Sequence, residues 1–140
     1  VLAGWLEMIQ KGIGRVEAFD NKEFSETIYQ MLHRAASACH AGADAQMAYL
    51  VFHSSDSTGT ATPHELHQDL ALLWQQLGSP SELPFHLVEV ELKPTASFKA
   101  IAPLEKGAPE TAEKVCAALR SDKPLFDFVG YRVRPISGAQ

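Results

Sequence analysis

Three sets of side chains in this 140-residue sequence have the types and spacing to do chemistry. His64 and His67 stand one helical turn apart, and His53 precedes them across a short polar stretch, so three imidazoles with Asp56 nearby could converge on zinc or a related divalent cation. The pattern lacks the i, i+4 spacing and internal glutamate of a His-Glu-x-x-His metalloprotease, and Glu65 is already accounted for as a helix cap. The polar 54–60 stretch holds Ser55, Asp56 and Thr58 ahead of a helix start, where backbone N–H groups could cradle an anion. It has no lysine or arginine and no phosphate-loop spacing, so a surface loop is the expectation, with Ser55, Asp56 and Thr58 as contact residues. Ser55 with His53 and Asp56 supplies the residue types of a hydrolase triad, but neighbours at one strand end point different ways and no Gly-x-Ser-x-Gly elbow is present.

The third set is Glu91 and Lys93, which share one face of a strand as in the Glu-x-Lys element of metal-dependent nucleases, with Asp56 as the remaining acidic ligand. Alternating charge on a solvated strand explains the same residues and is preferred. No cofactor is expected; a divalent metal held by His53, His64 and His67, or by Asp56 and Glu91 beside Lys93, is the competing possibility.

The elements that would position these groups follow from apolar periodicity. Leu2, Trp5, Leu6, Ile9 and Ile13 recur at helical spacing up to a glycine turn. Asp20 and Glu23 make a capping pattern flanked by Phe19 and Phe24, predicting a helix of about five turns over residues 24–39 that Gly42 stops. The apolar run 48–53 predicts a strand. Thr62, Pro63 and Glu65 then open a helix carrying Leu66, Leu70, Leu73, Trp74 and Leu77. Residues 85–93 alternate with period two, residues 98–102 read as a short returning strand, Pro109 begins a helix with Ala112, Val115, Cys116 and Leu119 inward, and residues 125–134 form a last strand.

The order from residue 46 is therefore βαββαβ, which predicts an α+β, ferredoxin-like sheet with two additional N-terminal helices. Without a strand at 98–102 the alternative is a three-stranded parallel βαβαβ arrangement of the α/β class. One domain is expected over residues 1–140, with 1–42 a helical extension packed on a 46–135 sheet core, and an origin as a piece of a longer protein is compatible with this reading. One sheet face, carrying Leu87, Glu89 and Glu91 with Phe126, Phe128, Arg132 and Arg134, is expected to lack helices of its own. The 24–39 helix would cover it, or a partner would.

Composition narrows the function classes. A chain that is 46% hydrophobic and 21% charged is a globular protein rather than a disordered tail. Its net charge of −5 argues against a nucleic-acid backbone as partner, and its apolar runs are too short to span a membrane. The two cysteines, Cys39 and Cys116, fall on apolar helix positions, which suits free thiols in a reducing, cytoplasmic setting. The reading that follows is a non-catalytic interaction or assembly module, contacting a protein partner or a second copy through the open sheet face (Phe126, Phe128, Arg132) or the 54–60 loop. A small ligand at the edge of that face is a further possibility, and the alternative function is a metal-dependent hydrolase or nuclease-like enzyme.

Overall fold

The four expected helices all form, with the start of the second displaced for local reasons. In this computed structural model, which describes residues 1–42, 44–54, 61–103 and 109–137, helix α1 (Leu2–Gly12) buries Leu6 and Ile9. Phe19 and Phe24 meet edge to face with ring centroids 5.5 Å apart, the contact of a hydrophobic staple. The element that Asp20 caps, however, is a 3-10 turn (Asn21–Phe24), in which the Asp20 carboxylate accepts from the Lys22 N–H at 3.0 Å. The long helix expected from residue 24 begins later, as α2 (Tyr29–Ala41). Ser25 donates its hydroxyl to the Lys22 carbonyl at 3.0 Å and Ile28 is extended, so local hydrogen bonding holds this stretch out of a continuous helix. Gly42 ends α2 at φ 143°, a conformation that favours glycine.

The two N-terminal helices approach closely. A Cβ on Gly12 would lie 2.5 Å from the Cys39 Cβ and 2.7 Å from its Sγ, so only glycine fits there. Burial pushes the half-buried Cys39 thiol pKa above its ordinary value.

Strand β1 (Met47–His53) leads to helix α3 (Pro63–Gln76) and then to strand β2 (Phe85–Pro94). The capping box at the start of α3 forms as its sequence requires: the Glu65 N–H donates to Thr62 Oγ1 at 3.2 Å and the Thr62 N–H donates to Glu65 Oε2 at 2.8 Å. That second bond, with one from the Thr62 hydroxyl, holds the Glu65 carboxyl pKa below its ordinary value. Two helices follow, α4 (Ala96–Ile101) and α5 (Pro109–Arg120), before strand β3 (Phe126–Ile136) closes the described chain.

The strands form one sheet in the order β1-β2-β3. The Met47 N–H donates to the Pro84 carbonyl at 3.0 Å, so the starts of β1 and β2 adjoin and the pair runs parallel. The Thr95 N–H donates to the Leu125 carbonyl at 3.1 Å, so the end of β2 meets the start of β3 and that pair is antiparallel. The described residues thus form a mixed α+β structure with five α-helices and a three-stranded sheet.

This corrects the expected second hairpin. Residues 98–102 belong to α4 and its C-terminal end instead of a returning strand, because Thr95 caps the segment by accepting from the Phe98 N–H at 3.4 Å. Five residues are too few for periodicity to separate strand from helix, and Lys99 and Ala100 are good helix formers. The four strands of a ferredoxin-like sheet are therefore not present among the described residues. The all-parallel alternative does not hold either, since β3 reverses.

Two compact units divide the chain. The first (Val1–Val51, Ala61–Glu89, Val133–Gln140) contains α1, α2, α3, most of β1, the first half of β2 and the end of β3. Its core gathers Leu6, Ile9, Met31, Leu32, Leu70, Leu73, Phe85, Leu87 and Ile136. The face of β2 bearing Phe85 and Leu87 is the buried one, with Leu87 at 0% exposure, whereas the reading from charge left Leu87 and Glu89 on the open side. Half-buried His86 and Val88 lie on the opposite side, where the core was expected. The reason lies in Glu89, which is only 8% exposed and stands 2.7 Å from Arg134 Nε. That contact is an ion pair by distance, although no N–H is well aligned on Glu89 Oε1. A neutralised carboxylate can follow Phe85 and Leu87 inward.

Two outcomes are expected from this packing. Gly12→Ala should destabilise the chain by about 1–3 kcal/mol through overpacking against Cys39, while Gly4→Ala, where an added Cβ meets nothing within 4 Å, should stabilise it by about 0.5–1 kcal/mol; urea melts of both variants check the contrast. Arg134→Ala should lower stability by about 3 kcal/mol by stranding the Glu89 carboxylate, and Glu89→Leu with Arg134→Met should recover most of that loss in the same assay.

Candidate interaction surface

The second unit (Phe52–Thr60, Val90–Arg132) takes the end of β1, the second half of β2, α4, α5 and most of β3. Local hydrogen bonds hold it together. Thr95 donates its hydroxyl to the Pro124 carbonyl at 2.8 Å, which ties the exit of β2 to the entry of β3 and, through the same cap, starts α4. The Phe98 ring of α4 meets the Phe126 ring of β3 with centroids 4.5 Å apart. Beyond this, none of the described residues of the unit is buried.

Helix α5 has the apolar stripe that its sequence predicts, but the stripe does not face inward. Ala112, Cys116 and Leu119 are exposed and only Val115 is half-buried, which corrects the expectation for this helix. Strand β3 is open on both sides: Phe128 is 63% exposed and Tyr131, of opposite parity, 71%. Val129 is exposed with Tyr131, and Phe52 at the end of β1 and Leu92 on β2 are exposed and half-buried respectively. An exposed apolar residue is unremarkable alone, whereas several on one strand and one helix make a surface that water disfavours.

The residues singled out by type are placed as follows. Phe126, Phe128 and Arg132 all lie on β3 in this unit, and no ion pair or hydrogen bond engages the Arg132 side chain among the described residues. Glu91 and Lys93 are both exposed on β2, two residues apart. His53 ends β1, also in the second unit, whereas exposed His64 and half-buried His67 belong to α3 in the first. Ser55, Asp56 and Thr58 fall outside the described residues. Among the described residues no three His, Cys, Asp or Glu side chains are grouped so that they could hold a metal ion. Of the other histidines, His33 stacks against Trp5 with ring centroids 5.0 Å apart, and His40 sits exposed near the end of α2.

The first unit has a cleft of its own, about 300 Å³ in volume, lined by Leu2, Trp5, Phe24, Tyr29 and Leu32 with the hydroxyls of Ser25 and Thr27. Its lining offers apolar contact, and hydrogen bonds from the hydroxyls of Ser25, Thr27 and Tyr29.

Val129, Tyr131 and Phe52 were missed as surface residues. The signal was present: β3 carries apolar side chains at both parities, the mark of a strand meant to be covered on both faces. No protein-family model matches the sequence, and neither a curated protein nor a solved structure matches the chain. No helix among the described residues is long and apolar enough to cross a membrane.

Thiol reactivity offers a direct check of this surface. In dilute solution Cys116 should react with a maleimide or disulfide reagent at the rate of an unhindered thiol, and Cys39, half-buried with its pKa raised by burial, should react far more slowly. Mass mapping of labelled peptides over time distinguishes the two, and a shielded Cys116 would mean that the α5 stripe is covered.

Proposed function

We propose that the chain is a non-catalytic protein-interaction or assembly module whose second unit supplies the contact surface. The observation that carries this reading is the lack of any buried residue among the described part of that unit, beside a first unit with a well-filled core. Folded units are held mainly by apolar burial, at roughly 1.5–3 kcal/mol for each large side chain taken fully out of water. A β3 with Phe128, Val129 and Tyr131 in solvent, and an α5 with Leu119 in solvent, forgo that stabilisation until something covers them. Exposed aromatic residues beside an arginine are also the composition of interface hot spots. A protein partner that buries β3 and α5 supplies the missing interior, and ordering the unit is then coupled to binding.

The test is hydrogen exchange on the chain alone at low concentration. Amides of β3 between residues 126 and 132 and those of α5 should exchange orders of magnitude faster than the amides of α3, because they open without disrupting the core. Equal, slow exchange in β3, α5 and α3 of a monomeric chain would mean that the second unit is complete without a partner, and the module reading would fail.

A further inference from the structure

The sequence of β3 is complementary to itself when reversed. Around Gly130, aromatic rings stand two and four residues before (Phe128 and Phe126) and guanidinium groups two and four residues after (Arg132 and Arg134). All four share parity along the strand, so they share a face. Among the described residues β3 is also an edge of the sheet, with β2 as its neighbour on one side. A Cβ placed at Gly130 would meet nothing within 4 Å, so the face that bears Phe128 and Arg132 is open between them.

We infer that the partner of this surface is a second copy of the chain, joined by antiparallel pairing of β3 with its two-fold equivalent about Gly130. This rests on the module reading above and names the occupant of the same surface. Two-fold antiparallel pairing sets residues opposite each other whose numbers sum to a constant, and both must have the same parity. In the register centred on Gly130, Phe128 lies across from Arg132 of the other copy, twice by symmetry, and Val129 lies across from Tyr131. The first pair brings a cation that has no ion pair among the described residues to an exposed ring, and the second joins a β-branched residue to an aromatic one; both kinds of cross-strand pair are favourable. Registers centred on Arg132 and on Asp127 oppose like charges, and those centred on Val129 and on Tyr131 leave Phe128 or Arg132 across from Gly130. Arg134 is already held by Glu89 within its own chain, so the Phe128–Arg132 pair is the one left to set the register.

Sedimentation velocity at rising protein concentration reads this out. The chain should pass from monomer to dimer, and Phe128→Arg, which sets arginine against arginine, should weaken the dimer by about tenfold or more. Adding Arg132→Glu to Phe128→Arg should restore it, since each new arginine then faces a glutamate. A dimer indifferent to Phe128→Arg, or a double variant that stays as weak as the single one, would overturn the β3 pairing. A strict monomer at every concentration would overturn the second copy as partner, and fast exchange in β3 would in that case leave the module reading standing. Because a variant can fail to fold, the unaltered chain gives a second measurement: exchange of the 126–132 amides should slow as concentration rises, and exchange that ignores concentration would overturn the inference.

Discussion

Alternate residues of a strand must face the same way, and in β2 this forces Glu89 to follow Phe85 and Leu87 into the interior. The two apolar side chains gain from burial and the carboxylate loses, so the face turns inward only if the charge is met there. Arg134 meets it from β3 at 2.7 Å. One ion pair between β2 and β3 therefore decides which side of the first unit's sheet is dry, and with it where α1, α2 and α3 pack. A buried ion pair is weak as a source of stability, but as a device for fixing orientation it is effective, because either charge left alone would be expensive.

Contrast between the two units gives the functional reading its force. The first unit satisfies its apolar surface internally: α1 and α2 meet at a glycine against Cys39, and the stripe of α3 closes over Met47 and Phe85. The second is held by a threonine cap, one aromatic contact between Phe98 and Phe126, and strand hydrogen bonds. Those interactions specify a shape without supplying an interior.

Much of the local structure was legible in residue order because its causes are local. The Thr62–Glu65 box, the Phe19–Phe24 staple and the glycine stop at Gly42 each depend on neighbours within a few positions, and each forms. Failures came where the cause was distant. Glu89 read as a solvated residue because Arg134 lies 45 positions away, and that distance hid which face of β2 is dry. Phe98 read as strand because alternation over five residues resembles a short amphipathic helix, and the alternation carries no sign of the cap from Thr95. The stripe of α5 was read correctly as a stripe and incorrectly as core, since periodicity reports that a face is apolar and is silent on what will cover it. The exposure of Phe126, Phe128 and Arg132 was legible from their shared parity, whereas Val129 and Tyr131, on the other parity of β3, are exposed as well.

An edge strand with apolar residues on both faces invites uncontrolled growth, so what limits the pairing matters as much as what drives it. Head-to-tail contacts between different surfaces propagate, whereas a contact between identical surfaces closes after two copies. The order of aromatic and basic residues along β3 favours the closed kind, since reversal maps rings onto cations, and parallel stacking in register would set Arg132 on Arg132 and Asp127 on Asp127. Under the proposed pairing, Asp127 and Arg132 disfavour the alignments that would set either residue against its own copy, in the way that charges on natural strand edges discourage unwanted partners. Once two β3 strands are joined, the sheet ends on β1 at both sides. That strand is seven residues long against the eleven of β3, and a short edge is the poorer template for further addition.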